Sequence, residues 1–236
     1  MRCTISMIAA LALCGCASQA IEEAPAPLQP TVETGAVAEG QEHEKIAAQL
    51  ALLDTSVVTG SATERFLASG MLELGAQDAP HTLTVFTEYH CNYCTQFHSA
   101  TQELLGEFLQ AEDLKIRFVF LPLKKYPNSE SAIRGLLCSG KMGQGLQMHT
   151  LLTERQNRHR SSVIAYADEL GIDADAFAAC LDSEETSTLI GKHRGLAQNL
   201  EVSLIPTFFL GGERITGLPV DAELQGWVRE KVRRQK

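Results

Sequence analysis

The chain has 236 residues, 44% of them hydrophobic, and a formal net charge of -9. That length holds one sizeable domain with room for an insertion and a tail, and the apolar share excludes wholesale disorder. The negative balance argues against a general nucleic-acid binder, which needs a basic face, and no apolar run approaches the roughly 20 residues of a membrane span.

From the N-terminus, Arg2 precedes the short apolar run Ile8 to Leu13, and Leu13-Cys14-Gly15-Cys16 follows. A charged start, a short apolar core and small residues describe an export signal over residues 1–16 rather than a structural helix. Leu-x-Gly-Cys also resembles the bacterial lipobox, which would make Cys16 the lipidated first residue of the mature protein. The alternative is an ordinary cleaved signal with incidental cysteines. Under the lipobox reading, the small neutral Ala17 resembles a signal for outer-membrane retention. Residues 17–42 are rich in Ala, Glu, Pro, Gly and Thr, with Pro25, Pro27 and Pro30 breaking any helix, so they are expected to be a flexible tether. Residues 43–75 carry two amphipathic stretches, around Ile46-Ala47-Leu50-Leu53 and Phe66-Leu67-Met71-Leu72, and are expected to be a helical extension. It either packs on the domain or forms a homodimer contact.

The main domain is expected over residues 76–236. Leu83 to Phe86 is short, apolar and β-rich, as a buried strand should be. Cys94, Phe97, Thr101, Leu104 and Phe108 then recur at helical spacing, and Leu114 to Leu121 makes a second strand. Strand, long helix and strand suggest a βαβ unit with a parallel pair. From about 127 to 200 the pattern is helical: Ser131 to Cys138, Gly145 to Glu154, Ser162 to Leu170, Ala174 to Leu181 and Thr186 to Asn199. Asp173 is a suitable N-cap and Gly171 a suitable C-terminal stop. A Gly211-Gly212 hairpin joins strands at Thr207 to Leu210 and Arg214 to Thr216, and Val220 to Val232 closes as an amphipathic helix. The reading is one α/β domain with an all-helical insertion.

Cysteine usage carries the chemistry. Of 7 cysteines, Cys3 and Cys14 leave with the signal and Cys16 takes the lipid; Cys91, Cys94, Cys138 and Cys180 remain. An even number in an exported protein fits two disulfide-capable pairs. Zinc also uses the C-x-x-C spacing of Cys91 and Cys94, but a structural site needs four ligands, and neither His90 nor His98 completes one at a usual spacing. The pair lies at a strand-to-helix junction, where unpaired N–H groups and the helix dipole stabilise a thiolate at Cys91. Cys94 falls one turn inward on the apolar face. Cys91 would therefore exchange disulfides and Cys94 would resolve. His90, Asn92 and Tyr93 would tune the potential, His90 as a cation beside the thiol. Met142, Met148 and His149 are read as core rather than a copper set, because neighbours on a helix point apart.

Three segments carry a family resemblance. Gly75 through His98, GAQDAPHTLTVFTEYHCNYCTQFH, resembles the start of the thioredoxin domain of DsbA-like proteins. Ala132 to Leu152 resembles their insertion helices, and Ile205-Pro206-Thr207-Phe208-Phe209 their cis-proline loop. The resemblance runs from about residue 75 to 235, with the motifs in family order. It implies a thioredoxin-like α/β fold and a thiol–disulfide oxidoreductase that needs no cofactor and no metal. Its partners would be unfolded or misbonded exported proteins and a membrane redox partner, in the periplasm. It implies that Pro206 faces the cysteine pair, that the Ile205 backbone binds extended substrate, and that Cys138 and Cys180 can form a structural disulfide. The insertion favours an oxidant, with isomerase, reductase, chaperone and Cu(I)-binding roles as alternatives. One departure matters: the family often has a buried acid six residues before the first active cysteine, and here that position is Val85. Glu88, the nearest acid, is expected in the exposed loop, which leaves the proton route for Cys94 absent or supplied by water.

Overall fold

The computed structural model describes residues 38–234. The expected signal, Cys16 and residues 17–37 of the expected tether lie outside them. In chain order the elements are α1 (Ala38–Ala51), β1 (Val57–Gly60), β2 (Glu64–Leu67), β3 (Leu72–Leu74), β4 (His81–Thr87), α2 (Asn92–Gln110) and β5 (Leu114–Phe120). Then come α3 (Ser129–Lys141), α4 (Gly145–Glu154), α5 (Arg160–Glu169), α6 (Ala174–Leu181), α7 (Glu184–Asn199), β6 (Thr207–Leu210), β7 (Glu213–Thr216) and α8 (Asp221–Arg234).

One seven-stranded sheet runs in the order β1-β2-β3-β5-β4-β6-β7. Central β4 pairs parallel with β5, as the strand–helix–strand pattern requires, and antiparallel with β6. Its apolar run is continuous because both faces are covered. Val85, Phe118 and Phe208 pack on one face with α2, α8 and the insertion helices. Their neighbours Phe86, Val119 and Phe209 pack on the other with Ile46 of α1 and Leu196 and Leu200 at the end of α7 and its cap. This two-residue alternation follows from the pleat. Each such side chain, taken fully out of water, contributes roughly 1.5–3 kcal/mol before entropy is counted.

The five helices between β5 and β6 match the expected insertion. Asp173 caps α6 by accepting the Ala176 N–H at 2.8 Å, and Gly171 turns the chain after α5 with φ +73. Cys138 of α3 and Cys180 of α6 are bonded, with Cα atoms 5.8 Å apart. This joins two helices 42 residues apart in sequence.

The segment before residue 76 differs from the expectation. A helix does form around Ile46, and it begins at Ala38, inside the expected tether. The second expected helix is instead the meander β1-β2-β3, which extends the sheet through antiparallel pairing of β3 with β5. Phe66, Leu67, Met71 and Leu72 have helical spacing only because two strands sit either side of a tight turn at Gly70, whose φ is +82. Both faces of β2 are buried, which erases the polar alternation that would have marked it. Glu73 of β3 explains the buried charges: it accepts from Arg65 of β2 at 2.7 Å and from Arg117 of β5 at 2.5 Å. The three residues lie side by side across adjacent strands. Among the described residues, no helix is long and apolar enough to cross a membrane.

Candidate active site

Strand β4 delivers the chain to the N-terminus of α2, and Cys91 is the cap residue, with extended φ -83 and ψ 117. Its side chain makes no tight cap bond. Even so, the thiol is pulled down to about 6, first by a hydrogen bond from the Cys94 thiol and then by the N–H groups of Cys94 and Tyr93; burial and the Glu88 charge oppose this. Asn92 and Tyr93 open the helix, and the Tyr93 side chain is 58% exposed, so what Tyr93 contributes to the sulfur is its backbone N–H. Cys91 is nearly buried and Cys94 wholly so, and both are free thiols. Burial and the neighbouring Cys91 push Cys94 far above the ordinary thiol range, opposed by hydrogen bonds from Thr87 and the Glu88 backbone. One thiol is poised to ionise and its neighbour to stay protonated.

Glu88 is not in an exposed loop. It is fully buried, and its carboxylate accepts the His90 N–H at 2.5 Å and faces His90 Nδ1 at 2.7 Å. The His90 ring also stacks on Tyr126 with centroids 5.4 Å apart. His90 therefore does not stand beside Cys91 alone: its ring is held against the Glu88 carboxylate, and that carboxylate raises the thiol pKa.

Across from the pair, the Ile205 carbonyl lies 3.7 Å from the Cys91 sulfur. The Ile205–Pro206 bond is cis. Leu204, one residue earlier, is 55% exposed. A groove beside Cys91 is lined by Tyr89, His90, Asn92, Thr95, Tyr126 and Arg158. The tertiary fold thus brings together residues from positions 87 to 98 and 204 to 206, while Cys138–Cys180 stands apart as a staple of the insertion. Met148 and His149 are buried and Met142 packs against the same core. Burial lowers His149 to about 4, and its Nδ1 meets the Tyr89 hydroxyl at 2.9 Å.

Sequence reasoning missed Thr87, and considered His98 only as a metal ligand. Thr87 Oγ1 and His98 Nε2 are 2.8 Å apart, and Thr87 is one of the groups acting on the Cys94 thiol. The signal was present in the helix period: His98 is four residues after Cys94, on the same buried face.

The model of the family described as Thioredoxin matches residues 68–230. A Na(+)/H(+) antiporter NhaA 1 of Salinispora arenicola is 32% identical over 147 residues, which is 61% of this chain and only 22% of the antiporter. The match thus spans about a fifth of that protein and concerns a segment of it. Among solved structures, the thiol-disulfide exchange protein alpha-DsbA2 from Wolbachia pipientis superimposes with a TM-score of 0.65 at 16% identity, covering 86% of this chain and 100% of that one. A periplasmic thioredoxin-like protein from Salmonella enterica serovar Typhimurium does so at 0.55 and 25% identity, covering 68% and 89%. The helical insertion is thus set in a thioredoxin-like α/β fold.

Proposed function

Since this chain belongs to the thioredoxin family, we propose that it is a thiol–disulfide oxidoreductase of the bacterial cell envelope. Cys91 exchanges disulfides with exported proteins, and Cys94 resolves the mixed disulfide by attacking the Cys91 sulfur. One observation carries the reading: an ionisable thiol at a helix N-terminus, 3.7 Å from the Ile205 carbonyl, is paired with a buried, protonated one. Ile205 and Pro206 form the wall along which an extended substrate segment adds its backbone. The cysteine pair carries the two electrons, so no organic cofactor is required. A membrane redox partner resets the pair.

The direction is oxidising. A stabilised Cys91 thiolate favours the reduced form, which makes the disulfide a stronger oxidant, by about 30 mV for each tenfold shift in the equilibrium. Two features support the envelope location: the bonded Cys138–Cys180 pair suits an oxidising compartment, and the Salmonella neighbour is described as periplasmic. Lipidation at Cys16 would hold the protein at the membrane; radiolabelled palmitate incorporation, lost in Cys16→Ser, is the expected result.

The test of the activity is the reduction potential of Cys91–Cys94, by glutathione equilibration of a soluble form starting after Cys16, with Cys138 and Cys180 replaced in a parallel sample. A value toward about -120 mV supports the oxidant; one near about -270 mV makes the protein a reductant. High-affinity Cu(I) retention without disulfide turnover would overturn the enzyme reading.

A further inference from the structure

We propose that Thr87 and His98 form a buried proton relay for Cys94, with His98 taking the part for which Val85 has no titratable group. This rests on the exchange reaction proposed above and names the route of its proton.

The reaction poses a specific problem. To resolve a mixed disulfide, the Cys94 thiol must become a thiolate. Its sulfur then bonds to the Cys91 sulfur, the Cys91–substrate sulfur bond breaks, and the substrate leaves as a thiolate that takes a proton from solvent. In the reverse direction, Cys94 leaves as a thiolate and must regain a proton. Cys94 is wholly buried, so its proton needs a route through protein groups. A carboxylate at position 85 would have provided one, but Val85 sits in the apolar core.

The route present runs the other way, along α2. Thr87 ends β4, and its hydroxyl acts on the Cys94 thiol in the direction that favours the thiolate. The same hydroxyl lies 2.8 Å from His98 Nε2. A hydroxyl has one donor and two acceptor sites, so it can accept from one neighbour while donating to the other, and both can reverse. With Cys94 a thiol, S–H donates to Thr87 and Thr87 O–H donates to Nε2. After a concerted shift of both protons, Thr87 donates to the thiolate and Nε2–H donates to Thr87. No atom moves far, and the net change is one proton from sulfur to imidazole.

His98 is suited to brief occupancy rather than storage. It is held neutral by burial, reinforced by His149. Phe97 precedes it in α2, and Phe118 and Phe120 of β5, Tyr89, and His149 of α4 surround its ring, with the His149 centroid 4.7 Å away. The charged or titratable group that acts on it through space is His149, which also disfavours the cation. Its Nδ1 is buried and meets no partner among the described residues. An unpaired polar atom in a core costs about 1–3 kcal/mol and calls for a reason. A purely structural side chain here would be phenylalanine, which fits the aromatic surroundings without that cost.

The test uses an aromatic disulfide reagent, 5,5′-dithiobis(2-nitrobenzoate), on the reduced protein. The first thionitrobenzoate released reports attack by Cys91, and the second reports resolution by Cys94. His98→Gln keeps a hydrogen-bonding partner for Thr87 but cannot carry the proton; Thr87→Val removes the hydroxyl at similar volume. Both should slow the second phase by at least about tenfold near neutral pH and leave the first within about twofold. The double variant should lose no more than either single one, since both interrupt one route. A solvent-deuterium isotope effect on the second phase should be present in the wild type and absent in His98→Gln. Unchanged second phases, or equal slowing of both phases, overturn the relay while leaving the exchange activity standing. A wild type that never releases the second equivalent overturns both.

Discussion

The ionisation of Cys91 depends above all on the thiol of Cys94, one helical turn away, rather than on its position alone. Its thiol is lowered from the usual 9.0 to about 6, and the Cys94 S–H is the largest cause. At pH 7 a thiol of pKa about 6 is roughly 90% thiolate, against about 1% for one at the usual value. Cys94→Ala removes the donor. A hydrogen bond to a charged group contributes about 1.5–3 kcal/mol, which at about 1.4 kcal/mol per unit moves the midpoint up by roughly 1–2 units. The Cys94 and Tyr93 backbone N–H groups remain and keep it below the free value. Cys94→Ser retains a donor and should shift less. Thiolate ultraviolet absorbance followed from pH 4 to 10, with alkylation rates as a second readout, measures all three. A Cys94→Ala midpoint within about 0.3 of the wild type, or a wild-type midpoint near 8.5, would refute the reasoning.

Glu88→Gln removes the charge that raises Cys91 while keeping an acceptor for His90; its thiolate titration should move to lower pH and its reduction potential upward. The depressed Cys91 also sets a pH window for the reduced protein. Its contribution to stability is full above the unfolded pKa near 9 and is lost as pH falls through about 6; the upper bound of about 4 kcal/mol is screened to roughly 2 at the open side of the site. Guanidinium midpoints of the reduced wild type, referenced to Cys91→Ser, should therefore rise between pH 6 and 8.5. Above that, Cys94, with its raised pKa, opposes the trend. Replacing both Cys138 and Cys180 with Ala opens a 42-residue separation and should destabilise by about 2–4 kcal/mol in denaturant melts, with exchange at Cys91 retained. Glu73→Ala strands Arg65 in the interior and should lower stability by about 3–5 kcal/mol in the same assay.

What the residues determined alone was local and periodic. Cys91 and Cys94 at a strand-to-helix junction, the apolar stripe of α2, the five insertion helices and the Gly211-Gly212 hairpin all follow from chemistry within a few residues, where helix period, caps and turn preferences act. Tertiary structure decided the rest. Residues 57–74 became strands because β5 offered an edge to pair with and charges to match, a demand made 44 residues downstream of Glu73 by Arg117. Glu88 is buried, against its polarity, because the fold supplies His90 backbone and ring donors. The contact of Cys91 with Ile205, 114 residues away, and that of Thr87 with His98 exist only once β4, α2 and β6 are packed. Periodicity tells which face of an element is buried; only the closed sheet decides which polar groups meet inside it, because that depends on distance in space and not along the chain.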